Sequence, residues 1–421
     1  MNRKEARDEV GVDEISDADS GPGGAETFDS IAVAHGNYLE RGGAERVSNE
    51  LARLFDAPLY YGFGDPDYLP KDVETISLFN NSPVSFLKRN VFTRDLYYAW
   101  AAQRLPELTE YDTLVLSKNE LSWYVPEDEQ TIVHYIHSTP RTPYDLFQQR
   151  ADGAITRLYA FLARTLFLPN TNYPDRFVAN SELVARRVQL YWGVPSEKVS
   201  VVYPPVPVEE YEPRERADYY LTYSRLIPEK RIGAIVDAFC ELDAELIVGG
   251  AGGERENLES RAPENVMFVG YMDEEEKKRR LGEAKALLFN AMNEDFGMIP
   301  VEAFASGTPV LGAAEGYTKY QIQDGKNGYT HDPNPASIRK SIVRFERDGV
   351  TWSPSQIEAY AQRYSAAAFR EGMRKAVDQA RDESRVRVPE ANVSQDSNSG
   401  PESSRDGEAH SPAPSEGGDA D

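Results

Sequence analysis

The run NEDFGMIPVEAFASGTPV, residues 293–310, holds the residue types most suited to chemistry in this chain. The apolar stretch ALLFNA just before it reads as a strand that delivers a loop bearing Glu294. Gly297 permits a tight backbone from which a helix starts at about Met298 or Ile299. Pro300 suits the first turn, where the N–H it lacks would have had no intrahelical partner. A helix that begins there directs free N–H groups and the positive end of its dipole into the cleft it faces, which suits a diphosphate. Glu302, on the same helix, can accept two hydrogen bonds from a vicinal diol such as that of a ribose. Glu294, upstream of the anion site, is placed to accept from sugar hydroxyls. Two glutamates around a plain strand-turn-helix could equally be surface residues, and the surrounding pattern EDFGxxPxEAxAxGxPV is what argues for a site.

Other candidates lie farther off. Gly42 and Gly43, in HGNYLERGGAERV, sit between an apolar strand and a helical pattern, where glycine allows a phosphate or sugar to approach the backbone. Arg225 and Lys230 follow the apolar run YYLTY in YYLTYSRLIPEKR; two such cations could neutralise a diphosphate or simply be solvated. HYIHSTPR offers His137 at a strand end, with His134 expected on the same strand face as a competitor for that role. In FVANSELVARR, Asn180 and Ser181 read first as structural, Ser181 as a helix N-cap.

Taken together, the EDFG run, SRLIPEKR, GGAERV, HYIHSTPR and FVANS resemble the GT4-type retaining glycosyltransferases of GT-B fold, over about residues 31–378. The resemblance implies that Glu294 contacts the transferred sugar and Glu302 the nucleotide ribose. It implies that backbone amides at Phe296, Gly297 and Met298 meet the sugar or phosphates, and that Arg225 and Lys230 face the diphosphate. Gly42 and Gly43 would form the family's amino-terminal loop and His137 would contact the donor sugar, with Arg141 holding an acceptor or phosphate. Donor binding would need no metal and no cofactor, the nucleoside diphosphate sugar being a substrate. One departure stands out: relatives often carry Gly-Gly-x-x-Glu after the strand TPVL, where this chain has EGYTKYQIQDG, with Gly316 matching and Tyr317 not. Two other functions stay open on the same architecture, a catalytically silent nucleotide-binding partner subunit and a nucleotide-sugar epimerase.

The elements that must position these residues are legible as alternation. SIAVAH, DTLVLS, TIVHYI, RFVANS and VSVVYP are apolar strand patterns interleaved with helical ones such as GAERVSNELARLF and ELVARRVQLYW. A second series, YYLTYS, AELIVGG, NVMFVGY, AKALLFNA and TPVLGAA, alternates with helices expected from Arg231, from Asp273 and after Gly297. Between the two series lies YPPVPVEEYEPRER, whose prolines and charges continue neither helix nor central strand. The expected architecture is α/β: two Rossmann-like, doubly wound parallel-sheet domains facing across a cleft, 28–205 on the acceptor side and 206–383 on the nucleotide-sugar side. The pattern SPSQIEAYAQRYSAAAFREGMRKAVDQA is expected to close the second domain as one long helix. Residues 1–27 and 384–421, rich in Gly, Ser, Pro, Asp and Glu, lack the apolar content to build a core and read as disordered acidic tails.

Composition narrows the function classes. Asp+Glu number 70 against 46 Lys+Arg, a formal net charge of −24 that disfavours nucleic-acid binding. Such an acidic balance fits the salty cytoplasm of a halophilic archaeon, or tails on an ordinary protein. Cys240 is the only cysteine, which excludes an intrachain disulfide, and in IVDAFCEL it reads as helix core. The amino-terminal segment has no apolar core region and no stretch approaches the ~20 residues of a spanning helix, so the expected location is cytoplasmic. SFLKRNVFTRDLYYAWAAQRLP (85–106) sets Lys88, Arg89, Arg94 and Arg104 among aromatics, so it is either a peripheral membrane contact for a lipid-linked acceptor or a helix packed into the first domain.

Overall fold

The computed structural model of the protein describes residues 30–39, 42–79, 91–150, 153–167 and 173–387. Its first half contains strands β1 (Ile31–Tyr38), β2 (Leu59–Gly64), β3 (Thr75–Ser77), β4 (Thr113–Ser117), β5 (Thr131–Ile136), β6 (Arg176–Ala179) and β7 (Val199–Val201). The helices among them are α1 (Gly43–Phe55), α2 (Val91–Ala101), α3 (Phe147–Arg150), α4 (Ala154–Phe167) and α5 (Glu182–Trp192). The second half contains β8 (Tyr219–Tyr223), β9 (Glu245–Gly249), β10 (Val266–Gly270), β11 (Leu287–Phe289), β12 (Val310–Ala313) and β13 (Gly328–His331). Its helices are α6 (Ile232–Phe239), α7 (Arg255–Arg261), α8 (Glu274–Glu283), α9 (Met298–Ala305), α10 (Thr318–Gln321), α11 (Pro335–Asp348), α12 (Pro354–Ala361) and α13 (Ala366–Arg387).

The strands form two sheets in the orders β3-β2-β1-β4-β5-β6-β7 and β10-β9-β8-β11-β12-β13, parallel throughout. Both orders reverse direction once, between β1 and β4 and between β8 and β11, and crevices open at the carboxyl ends of strands where that happens. The candidate residues after β1, β8 and β11 all sit at those two points. The sheets are buried on both faces, as parallel sheets covered by crossover helices must be. In the first, Val33, Val115, Val133 and Val178 lie in one core layer with Val47 and Leu51 of α1, while Ala32, Leu114, Leu116 and Ile132 pack on the other side with Tyr98 and Ala102. β2, β3 and β13 were not expected as strands. β2 is the Tyr/Gly run LYYGFG, and β3 and β13 are edge strands of 3 and 4 residues, too short to show a period.

The closing helix corrects the expectation. The pattern from Ser353 breaks into α12, a 3-10 turn at Gln362–Tyr364 and α13. Ser365, in extended backbone, forms a parallel bridge with Val206, and Val206 N–H donates to the Tyr364 carbonyl at 3.0 Å. The chain thus passes between the two halves twice, side by side. α13 then docks on the first sheet, not the second: Phe369, Met373, Ala376, Val377 and Ala380 form one stripe against the layer of Val133 and Val178. Burying such a stripe is worth about 1.5–3 kcal/mol per large side chain, enough to return the helix across the linker. Cys240 is likewise not core. α6 ends at Phe239, leaving Cys240 exposed at the C-cap. Among the described residues no helix is long and apolar enough to cross a membrane.

Candidate active site

On the second-domain side, Gly297 takes φ +82 as the N-cap of α9, a left-handed conformation that favours glycine. The loop ahead of it rests on Gly316. At φ +60, a Cβ built on Gly316 would stand 2.4 Å from the Glu294 nitrogen, so no side chain fits there. Tyr317 N–H donates to the Glu294 carbonyl at 2.7 Å, and Glu315 accepts from Asn293 N–H at 3.1 Å. These contacts hold Glu294 where Lys230 reaches it, Nζ to Oε2 at 2.7 Å. The two residues, predicted separately, are partners. Arg225 is exposed on the loop after β8.

Glu302 is buried on α9, and its carboxylate accepts from the Tyr223 hydroxyl. Lys277 of α8 and Arg46 of α1 each approach its Oε1 to 3.6 Å. Burial and the Glu302 charge together push the Tyr223 hydroxyl well up, so it stays a donor. Phe296 does not face a ligand. Its ring is buried between Tyr203 and Tyr317, stacked with both, which leaves its backbone as the part available to a donor.

On the first-domain side, Gly42 caps α1 and Gly43 is its first residue. The starts of α1 and α9 meet: a Cβ on Gly43 would lie 2.6 Å from Met298 Cε. Beneath them is a cluster that sequence reasoning missed. His35 of β1, buried, bonds through Nδ1 to Ser117 Oγ at 3.1 Å and to Ser48 Oγ at 3.0 Å. Ser117 Oγ in turn lies 2.8 Å from His137 Nε2. Lys118 Nζ donates to Glu45 at 2.6 Å, and Glu45 stands 3.6 Å from His35 Nε2. Burial, then the Lys118 charge, lowers His35 to about 4. Burial, then His35, holds His137 well below the usual imidazole range. Burial works against the Glu45 carboxylate, yet the nearby His35 and the charge of Lys118 bring it down to about 2. The first domain therefore presents neutral imidazoles beside an ionised Glu45–Lys118 pair. Glu45 was within the quoted GGAERV, but nothing in the sequence paired it with Lys118, which follows β4.

His137 is positioned from below. Asn180 Nδ2 donates to its carbonyl at 2.7 Å, a structural role of the kind expected. His134 turns out to be no competitor. Three residues earlier on β5, it faces the opposite side of the sheet, fully buried, with Nε2 at 3.2 Å from the Lys118 carbonyl and its ring against Phe177. Ser181 caps α5 as expected, accepting from Val184 N–H.

Arg141 is engaged within the protein. Its Nη2 donates to the carbonyls of Met292 at 3.3 Å and Asn293 at 2.8 Å, across the cleft. It belongs to an interdomain clasp that sequence reasoning also missed. Arg187 of α5 pairs with Asp295 and donates to Asn293 Oδ1 at 2.8 Å; Asn293 donates to Asp145 at 2.9 Å; Ser181 Oγ donates to the Asp295 carbonyl at 2.6 Å. Burial pushes the Asp295 carboxyl up to about 6 despite the charges of Arg141 and Arg187. Tyr317, the departure noted in sequence, is part of the same closure: its hydroxyl bonds Glu182 of α5 and lies 3.2 Å from the Tyr203 hydroxyl. Among the described residues no group of three or more His, Cys, Asp or Glu side chains could hold a metal ion. Of the basic stretch 85–106, Lys88 and Arg89 lie outside the described residues. α2 buries Tyr98 and Ala102 follows it inward, while Leu96 and Trp100 remain exposed.

Comparison with known proteins agrees with this geometry. The profile of the Glycosyl transferases group 1 matches residues 208–368, and that of Glycosyltransferase Family 4 matches residues 41–210. A D-inositol 3-phosphate glycosyltransferase of Nocardioides sp. is 29% identical over 199 residues, which span 38% of this chain and 43% of that protein. The Streptomyces coelicolor protein of the same name is 25% identical over 233 residues, 45% of this chain and 51% of its own. In fold, sucrose-phosphate synthase from Thermosynechococcus elongatus superposes with a TM-score of 0.65 at 15% identity, over 83% of this chain and 98% of that one. The apo lipopolysaccharide outer core galactosyltransferase WaaB does so at 0.64 and 19%, over 83% and 99%. The two profiles meet at the linker and cover both halves of the cleft, so the chain belongs to the group 1 glycosyl transferases, of GT4 type and GT-B fold.

Proposed function

We propose that the protein transfers a hexosyl unit, of glucose or mannose type, from a nucleoside diphosphate sugar to a hydroxyl of a glycan or lipid-linked acceptor, with retention of anomeric configuration. The observation that carries this reading is the meeting of the α1 and α9 starts, with the Lys230–Glu294 pair beside the start of α9. In the reaction the diphosphate lies against the N–H groups at the start of α9 and against Arg225 and Lys230, which offset the charge it gains as the sugar C1–O bond breaks toward it. Glu294, released from Lys230 by the phosphate, accepts from sugar hydroxyls; Glu302 accepts from the ribose diol. The acceptor oxygen forms the new bond to C1 on the face the diphosphate leaves, and its proton passes to a departing phosphate oxygen. No side chain forms a covalent bond. His137, kept neutral, donates to the donor sugar as a hydrogen-bonding group.

A melting-temperature panel of nucleoside diphosphate sugars, followed by transfer assays, tests this. Upward shifts with a diphosphate sugar, and transfer that is abolished with the fold intact in Glu294→Ala, are expected. Binding without turnover against every acceptor would leave a silent partner subunit, and donor interconversion without acceptor would make the protein an epimerase.

A further inference from the structure

The loop that carries Glu294 is gripped from the other half of the molecule. Asn293, just ahead of it, takes φ +47, a left-handed backbone that a non-glycine residue keeps where its surroundings fix it. Arg187 of α5 does the fixing. Its guanidinium pairs with Asp295 through one nitrogen and donates to Asn293 Oδ1 at 2.8 Å through the other, so one planar fork spans the residues on either side of Glu294. Arg141 holds the Met292 and Asn293 carbonyls, and Ser181 the Asp295 carbonyl. The Glu294 carboxylate is left to Lys230, in its own half.

The grip is made of charges taken out of water. The side chains of Arg187, Asp145 and Asp295 are 7%, 4% and 13% exposed. Two cations, Arg141 and Arg187, face two carboxylates, Asp145 and Asp295, with Asp145 3.3 Å from Arg141 and 3.6 Å from Arg187. Desolvation cancels most of the attraction in such a set, so its worth lies less in stability than in the single geometry its directed bonds admit. A group acting on a sugar requires that, since a misplacement of about 1 Å costs on the order of 10²-fold in rate. Burial raises the Asp295 carboxyl to about 6 against the charges of Arg141 and Arg187, and the charges of Glu294 and Asp145 add to the rise.

We propose that Arg187 is a positioning residue for transfer: reaching across the cleft to Asn293 and Asp295, it sets the Glu294 carboxylate against the sugar without touching the donor. This rests on the transfer reading given above and adds to it a residue of the acceptor-side domain. Binding of the nucleoside diphosphate, through Arg225, Lys230, Glu302 and the start of α9, does not depend on the fork, whereas the rate of transfer does. The rate also follows the charge of Asp295. Above about pH 6 the carboxylate is ionised and the fork is complete; as pH falls through about 6 it takes up a proton and Arg187 loses its ion pair.

Turnover of UDP-glucose and GDP-mannose by the full-length protein, with calorimetric binding of UDP and GDP on the same samples, tests it. Arg187→Gln is expected to lower kcat about 10²-fold and to change the diphosphate Kd less than about twofold. Arg187→Lys, which keeps the charge but not the fork, is expected to recover about tenfold of that loss. Wild-type kcat is expected to fall as pH drops from about 7 to about 5, and Asp295→Asn, whose amide oxygen still accepts from Arg187, to abolish that fall. Unchanged kcat in Arg187→Gln overturns the proposal. So does a Kd weakened as much as kcat, which would make Arg187 a donor ligand, and so does a lysine variant no better than the glutamine one, which would reduce the pair to packing. Should the glutamine variant not fold, wild-type kcat in the lysine variant, or an acid fall retained in Asp295→Asn, overturns it. Diphosphate binding without turnover in the wild type removes the transfer reading and the positioning role with it, whereas turnover indifferent to Arg187 removes the positioning role alone.

Discussion

On the second-domain side of the cleft, Glu294, Gly297, Met298 and Glu302 all come from one passage of chain, from the end of β11 into α9. On the first-domain side, His35, Glu45, Lys118 and His137 come from β1, α1, the end of β4 and the end of β5. The first group is local and therefore has a recognisable spelling. The second is assembled only when four separate segments are brought together by strand pairing. The difference extends to electrostatics. Glu294 and Lys230 are partly exposed and open to exchange for a ligand, whereas His35 and Ser117 are buried and bonded to each other, with the buried Glu45 3.6 Å from His35. One half is built to bind charge and the other to hold neutral imidazoles in place.

Several substitutions would break or sharpen that contrast. The largest effect is expected from Glu294→Ala, a loss in kcat on the order of 10³-fold with the melting temperature little changed, as the contact proposed between this residue and the transferred sugar requires. Retained turnover would take Glu294 out of the site. Gly316→Ala is expected to cost about 3 kcal/mol in urea unfolding, because it combines a left-handed backbone with a close approach to the Glu294 nitrogen. A neutral result would show the loop to be freer than its packing implies. Lys230→Ala is expected to weaken nucleoside diphosphate binding about 10²-fold by calorimetry, through the charge-assisted contacts to phosphate.

On the other side, Glu45→Gln is expected to lower kcat about tenfold and leave donor binding intact, because it unpairs Lys118 under His137 without touching the phosphate site. Were it to act on donor binding instead, the division between the two halves would fail. The smallest effect concerns pH. His134 is held at about 4 by burial, against 6.5 for the free side chain. A lowered folded pKa means that the unfolded chain takes up the proton first, so stability is complete above pH 6.5 and is lost as pH falls through about 4. At pH 5.5 the loss from this one group should be about 1 kcal/mol, and His134→Gln should flatten that part of a urea-unfolding series.

Much of the second half was readable in advance. The EDFG run, its helix start, the SRLIPEKR cations and the proline-rich linker are local patterns, and their positions follow from capping and periodicity. Local pattern could not reveal that Lys230 bonds Glu294, that Arg141 clasps the loop of Asn293, or that Tyr317 closes onto Glu182. Nor could it place α13. Its stripe of Phe369, Met373 and Val377 shows that it must cover something apolar, but not which of two sheets.

The sequence by itself thus determined the alternating α/β plan, with one strand series on each side of Tyr203, and the helix start at Gly297, because each depends on residues close together in the chain. Only the tertiary structure decided the His35–Ser117–His137 cluster and the clasp through Arg187 and Asp295. Those depend on strand order and on which faces are left uncovered after the sheets have packed, and neither quantity is carried by any one stretch of residues.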